Sequence, residues 1–304
     1  MFVQRHVMYN VIDEQNMVFD ELPRNGSLIN FSMLRDLKST PVVFRSFSIK
    51  YVLEGCENYT INGNRFQVEN QHYLLANTHS EGAVEIDSEK IVKAICIDIA
   101  PDILSEVVGS YLQPDSSFSD LNLDRFFTTS DFFESFYPSD NTLLGKTLTS
   151  LGTELSDSPF EKREFSKEFY YHLSEQLIAD HIPVFKQLQS VRSVKVQTKK
   201  ELLRRVLRGK DFINNCYMLP LSIEQVAQEC HLSEYHFFRL FKAVMGISPH
   251  QYLIRKRIEN AHSLLLDKSH TVSDVAFLCG FADVFSFSKA FKKHTGIAPS
   301  LLLK

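Results

Sequence analysis

The 304-residue chain reads as a multidomain β + α protein. A small β-barrel or sandwich comes first, helices trail it, and an all-α domain with two helix-turn-helix units closes the chain. Three observations predict this. Residues 42–100 alternate β-rich runs with Asn/Gly turns. From Asn141 the apolar spacing changes to that of helices. A pattern ending at Pro249 returns fifty residues later and ends at Pro299.

Composition sets the outer bounds. With 44% hydrophobic and 23% charged residues the chain is an ordinary globular protein, with room for two domains. The first sixteen residues hold no uninterrupted apolar run of the secretory kind. No stretch approaches the roughly 18 apolar residues of a membrane span. A cytoplasmic protein without a membrane partner is expected. The five cysteines (Cys56, Cys96, Cys216, Cys230 and Cys279) are odd in number and form no C-x-x-C pair. All but Cys56 sit among apolar neighbours, where free Cys behaves as a small hydrophobe and a reducing compartment is the simplest setting. Charge is divided along the chain. Residues 195–304 hold 17 Lys+Arg against 9 Asp+Glu, a net +8, and residues 1–194 a net −12. Two domains with different partners follow.

In the front half, "VVFRSFSIKYVL", "YTI", "RFQV", "YLLAN", "GAVEI" and "IVKAICIDI" are separated by short turns. Asn62-Gly63 between two β-prone runs signals a hairpin. Pro101 ends the run and opens a helix over "PDILSEVVGSYL". His72, His79 and Glu81 invite a metal reading, but there is no H-x-H and no H-E-x-x-H. No Ser-His-Asp, P-loop or dinucleotide fingerprint occurs. No catalytic residue, metal ligand or cofactor is nominated, and a small barrel of this kind suits a container for one small ligand. The alternative is a metal enzyme of the cupin type that carries the back half as an appendage.

The middle is helical. Leu144, Leu148, Leu151 and Leu155 fall at i, i+4, i+7 and i+11. A second helix is expected from near Phe160, with Phe165, Phe169, Leu173 and Leu177 along one side and its end disturbed by Pro183. Packing on the barrel and pairing of two chains into a homodimer are both open to such stripes. The Ser-, Gln- and Lys-rich stretch 189–200 reads as a linker. The expected domains are a β-rich domain over 1–140, a helical packing or dimerisation region over 141–190, a linker over 191–198 and an all-α domain over 199–304.

The back half repeats itself. Ser222 with Gln225 three residues on makes a capping-box start. Ile223, Val226, Ala227 and Cys230 give an apolar face, and Ser233 caps the next helix after the turn "HLS". There Phe237, Leu240, Phe241 and Val244 face the core, Tyr235, Arg239 and Lys242 lie opposite, and Gly246 closes the helix. In the second copy Thr271 caps with Asp274, and Val275, Ala276 and Cys279 are apolar. Phe287, Ala290, Phe291 and His294 form the expected buried stripe. Phe285, Lys289 and Lys292 lie opposite, and Gly296 terminates. Five pairs, from Phe237/Phe287 to Pro249/Pro299, are displaced by fifty, while Ala227/Ala276 and Cys230/Cys279 are displaced by forty-nine. The second turn, "GFAD", is therefore one residue longer than the first.

Two short helices joined by a tight turn read DNA when the exposed side of the second carries donors. Ser248 and Pro249 start a connector helix with Ile254, Ile258, Ala261 and Leu265 as its seam. Its length, about 25 Å at 1.5 Å per residue, together with part of each unit's width approaches the ~34 Å between successive major grooves, so that one chain can address two of them. Direct repeats with different surfaces predict a non-palindromic half-site.

On "SIEQVAQECHLSEYHFFRLFKAVMGISPHQYLIRKRIENAHSLL" and "TVSDVAFLCGFADVFSFSKAFKKHTGIAP", residues 199–304 resemble the DNA-binding domain of the AraC/XylS transcription regulators. The front half resembles that family's cupin-like sensor domain loosely, by strand pattern and position. The resemblance implies a sequence-specific, effector-responsive regulator whose partner is double-stranded DNA. RNA polymerase is a further partner if the protein is an activator, and a small-molecule effector would occupy the N-terminal barrel. Carried over position by position, base-edge contacts fall on Glu234, Tyr235, Phe238 and Arg239 in the first reading helix. In the second they fall on Val284, Phe285, Ser286 and Lys289. Lys242, Lys292 and Lys293 are implied at phosphates. Phe238, Val284 and Phe285 depart from the polar readers frequent in the family and suit thymine methyls. Leu302 stands where Tyr252 stands in the first copy.

Overall fold

The computed structural model describes residues 8–17, 26–112 and 122–303. The first seven residues of the stretch read for a secretory signal lie outside them. The chain divides into two compact units, Met1–Phe185 and Lys186–Lys304.

Unit 1 is built on an eight-stranded sheet among the described residues. Its strands are β1 (Met8–Asp13), β2 (Leu28–Val43), β3 (Phe47–Glu54), β4 (Cys56–Ile61), β5 (Asn64–Glu69), β6 (His72–Ala76), β7 (Glu81–Ile99) and β8 (Ser135–Pro138). They run in the order β1-β2-β7-β3-β6-β8, with the β4–β5 hairpin joined to β7. β1 pairs with β2 in parallel, and every other pairing is antiparallel. The Asn62-Gly63 hairpin forms as expected: Ile61 pairs with Asn64, and both turn residues have positive φ, 49° and 79°. That is the type I′ geometry whose twist suits the flanking strands.

Several strand readings are corrected. β1, β8 and all of β2 before Val42 have no counterpart in the sequence reading, because β2 mixes Arg35, Asp36 and Lys38 into an otherwise β-prone run and β8 is only four residues long. "GAVEI" and "IVKAICIDI" are one strand of 19 residues. The polar run between them, 87–90, sits where the β2–β7 register jumps from Leu34↔Val92 to Asp36↔Asp87. A bulge absorbs extra residues without ending the strand.

Helices α1 (Pro101–Tyr111), α2 (Leu123–Thr128), α3 (Leu143–Asp157) and α4 (Lys167–Ser190) follow. Leu144, Leu148, Leu151 and Leu155 are buried along α3, as the spacing predicts. The second helix begins at Lys167 rather than near Phe160, so Phe165 lies before it. Pro183 does not disturb the end of α4: the helix continues seven residues past it to Ser190. Proline removes one helix hydrogen bond, and burial of Ile182, Phe185 and Leu188 on either side outweighs that loss. The Asp180 carboxylate of α4 accepts from the backbone N–H groups of Leu143 (3.1 Å) and Leu144 (2.9 Å), completing the start of α3.

In unit 2, α5 (Val196–Cys216), α6 (Ile223–Glu229), α7 (Glu234–Met245), α8 (Pro249–Leu266), α9 (Val272–Leu278) and α10 (Val284–Thr295) precede a short 3-10 turn at Pro299–Leu301. Part of the Ser/Lys-rich 189–200 stretch is helical, since α4 ends at Ser190 and α5 starts at Val196. The five cysteines are free thiols. Cys230 and Cys279 are buried as expected, whereas Cys96 is half-buried between Lys50 and Asp98 rather than in apolar surroundings.

Candidate nucleic-acid interface

The two helix pairs, α6–α7 and α9–α10, are built by the same local chemistry. At the first helix of each pair a capping box closes the N-terminus. Ser222 Oγ accepts from Gln225 N (3.1 Å) while Gln225 Oε1 accepts from Ser222 N (2.9 Å). Thr271 Oγ1 accepts from Asp274 N (3.2 Å) while Asp274 Oδ2 accepts from Thr271 N (3.0 Å). Each turn is pinned by hydrogen bonds back into the helix: Leu232 N to Ala227 O and Phe281 N to Ala276 O, both 3.0 Å, with His231 N to Gln228 O (2.9 Å) and Gly280 N to Phe277 O (3.0 Å). Ser233 caps α7 and Asp283 caps α10. Gly246 and Gly296 close these helices in the left-handed conformation.

Inside, Phe237 packs on Phe241 (centroids 5.3 Å apart) and Phe287 on Phe291 (5.6 Å), all four fully buried. Val226, Ala227 and Cys230 in the first pair, and Val275, Ala276 and Cys279 in the second, complete those cores. One expected core residue is not there. His294 is exposed, because it lies in the last turn of α10, where a histidine can remain in water beside the helix C-terminus.

The nominated contact residues lie on the opposite sides. Glu234, Tyr235, Phe238, Arg239 and Lys242 are exposed on α7, with Tyr235 at 70% and Phe238 at 40%. Arg239 stacks over the Tyr235 ring, 5.7 Å from its centroid, and donates to its hydroxyl at 3.4 Å. Phe285 (79% exposed), Ser286, Lys289, Lys292 and Lys293 are exposed on α10. Val284 is half-buried and packs against the second core. The Ser286 hydroxyl donates to Asp283 Oδ2 (2.8 Å), so its proton serves the cap and its oxygen remains as an acceptor. Leu302 packs against the second core, whereas Tyr252 donates to Asn214 Oδ1 at 3.0 Å.

Sequence reasoning missed Arg257. It is buried on α8, donates from Nε to Tyr217 O (2.7 Å) and from Nη2 to Leu219 O (2.8 Å), and lies over the Phe281 ring. It joins the segment before α6 to the turn of the second pair. The signal was available: Arg257 falls four residues after buried Leu253 and four before buried Ala261, on the seam of α8.

Unit 1 contains a cavity of about 360 Å³. Residues of β1, β2, β3, β4 and β7 line it, with Ile12, Leu34, Leu37, Val84 and Ile86 on its apolar side. Lys50, Glu57 and Asp98 face it too, and all three are buried. The metal reading gains nothing from the geometry. His72 Nδ1 bonds to Asn70 O (3.0 Å) and His79 Nε2 to Thr128 O (2.9 Å). Among the described residues no three His, Cys, Asp or Glu side chains gather as a metal site would need.

Residues 226–304 match the family described as "Helix-turn-helix domain". The "Probable transcriptional regulator LumQ" of Photobacterium leiognathi is 30% identical over 184 residues, 59% of this chain and 68% of that one. This chain belongs to the AraC/XylS family of transcription regulators. The "Lactose operon transcription activator" of Staphylococcus xylosus is 38% identical over 90 residues, 30% of this chain and 32% of that protein's length. Among solved structures, the C-terminal domain of AraT from Geobacillus stearothermophilus is 30% identical, covering 33% of this chain and 83% of that one, with a TM-score of 0.32. The AraC/XylS member described here is a transcription regulator with an AraC-type DNA-binding domain. Its C-terminal region is all-α and its N-terminal region β-rich. No helix among the described residues is long and apolar enough to cross a membrane.

Proposed function

We propose that this regulator reads a bipartite, non-palindromic DNA half-site with two helix-turn-helix units, α6–α7 and α9–α10, and that a cupin-like barrel in unit 1 answers to a small-molecule effector. The domains are then a sensor over 1–140, a helical region over 141–190, a linker over 191–198 and the DNA-binding domain over 199–304. α7 and α10 enter successive major grooves. Glu234, Tyr235, Phe238 and Arg239, and Val284, Phe285, Ser286 and Lys289, face base edges. Lys242, Lys292 and Lys293 hold phosphates. Cationic side chains supply affinity, and base-edge contacts supply sequence choice. Phe285 and Phe238 suit thymine methyls. The α3–α4 region pairs two chains, the protein acts in the cytoplasm, and RNA polymerase is the further partner where binding activates transcription.

One observation supports this above the rest. Arg239 and Lys289, like Lys242 and Lys292, stand at equivalent positions of two helices with the same caps and cores, on exposed sides, in a half of the chain carrying net +8. The cavity in unit 1 supports the sensor reading, since ligand pockets run from roughly 300 to 1,000 Å³.

Genome-wide selection of bound DNA fragments tests the DNA reading. Two conserved elements about one helical turn apart are expected, one lost with Arg239→Ala and the other with Lys289→Ala. A single element, or two variants that bind as the parent does, would refute it.

A further inference from the structure

The cavity's polar wall has a composition that selects among ligands. Pairing across β2, β7 and β3 aligns Leu28, Asp98 and Ser48 in one row and Asn30, Cys96 and Lys50 in the next. Glu57 reaches the same space from β4, in phase with buried Tyr59 and Ile61.

Asp98 is already occupied. Its Oδ1 accepts from Ser46 Oγ (3.0 Å) and from Ser48 Oγ, and its Oδ2 faces Cys96 Sγ at 3.6 Å. Lys50 is 7% exposed; among the described residues its one hydrogen bond is to Cys96 Sγ, and its ammonium lies 5.6 Å from the centroid of the Phe44 ring. An ammonium carries three donors and sulfur is a weak acceptor, so Lys50 keeps donor capacity beside the cavity. Glu57 is 4% exposed, and its Oε2 accepts from Tyr59 OH at 2.7 Å. Burial opposes the Lys50 charge, but Cys96, Asp98 and Glu57 together hold its pKa above the ordinary lysine value. Burial raises the Glu57 carboxyl above the usual range, against the Tyr59 hydrogen bond and the Lys50 charge. Burial also pushes the Cys96 thiol up to about 12.

Lys50 thus shares the wall with the Asp98 and Glu57 carboxyls, and Arg45, which also lines the cavity, is exposed to solvent. A carboxylate ligand would add a second negative charge next to two carboxyl groups. An amine would add a second positive charge next to Lys50. Burying a charge without a partner costs far more than burying a hydrogen-bonded neutral group.

Resting on the sensor reading above, we infer that the unit 1 cavity takes a small uncharged amphipathic molecule, its carbonyl or hydroxyl oxygen accepting from Lys50, a neighbouring donor meeting Glu57, and its hydrocarbon body against Ile12, Leu37 and Ile86.

Calorimetric titration of the full chain with octanamide, octanoate and octylamine tests this at constant chain length. Octanamide is expected to bind roughly tenfold or more tightly than either charged probe, the scale of one hydrogen bond to a charged donor. Lys50→Met should remove that margin. Ala94→Leu fills the cavity without touching its charges, should abolish binding, and carries the test if Lys50→Met does not fold. Tightest binding of octanoate or octylamine, lost with Ala94→Leu, would overturn the head-group assignment and leave the sensor reading standing. Binding of none of the three, or binding indifferent to Ala94→Leu, would overturn the cavity assignment. The sensor reading itself falls only if a broad small-molecule thermal-shift screen of the full chain also yields no ligand.

Discussion

In the first helix pair the residue after Cys230 is His231, with φ of 53°; in the second the equivalent residue after Cys279 is Gly280, with φ of 79°. Both turns need a left-handed residue there, but only one can carry a side chain. His231 points into solvent, and its carbonyl accepts from Arg205 (3.1 Å). A Cβ on Gly280 would lie 2.8 Å from the carbonyl oxygens of Tyr217 and Met218 and 3.0 Å from Arg257 Nη2. The second turn is thus packed against the backbone before α6, and Arg257 bonds that same backbone. Two units alike in local chemistry differ where they meet the rest of the domain.

The largest effect is expected at this contrast. Gly280→Ala should cost about 3 kcal/mol in chemical denaturation, from left-handed strain plus a backbone clash. His231→Gly should stay within about 0.5 kcal/mol, since relieved strain offsets unfolded-state entropy. Equal effects would mean that the turns are equivalent after all. Arg257→Met should follow at about 2 kcal/mol, because Tyr217 O and Leu219 O lose their buried donors.

Outer faces sharpen the comparison through DNA. Arg239→Ala and Lys289→Ala should each weaken specific binding by about 1–3 kcal/mol, at different positions of the site. Filter binding against base-substituted fragments would distinguish them. Lys292→Ala should weaken all sequences alike and reduce the slope of log K against log salt by about 0.9.

The smallest effect separates the caps. Ser222 and Ser233 do not titrate near pH 4, but Asp274 and Asp283 do. Hydrogen bonds with Thr271 hold the Asp274 carboxyl below 3.8, and hydrogen bonds from Ser286 do the same for Asp283. A carboxylate whose folded pKa is depressed stabilises the fold above its unfolded pKa, and loses that contribution as pH falls through the folded value. Acidification below about pH 4 should therefore loosen α9–α10 before α6–α7, measured by hydrogen exchange corrected for intrinsic rates. Simultaneous loosening would assign no role to the caps.

Much of the candidate interface was legible because its determinants are local. The Ser222–Gln225 box, the Phe237/Phe241 spacing and the exposed Arg239 all follow from residues within one or two helical turns. His294 was misread because periodicity says which side a residue lies on, not how far the core extends along it. Lys50 and Glu57 were passed over because a charge in the inward phase of a strand acquires meaning only when strands distant in sequence line one cavity.

The sequence by itself determined the tandem repeat, its caps, its closing glycines and the basic character of its half of the chain, since capping and periodicity act over three to four residues. Tertiary structure alone decided that β7 runs unbroken through a polar stretch, that α4 continues past Pro183, and that Arg257 finds its acceptors some forty residues away. These outcomes depend on burial supplied by distant segments. That burial can outweigh a local break in pattern, and no window of neighbouring residues contains it.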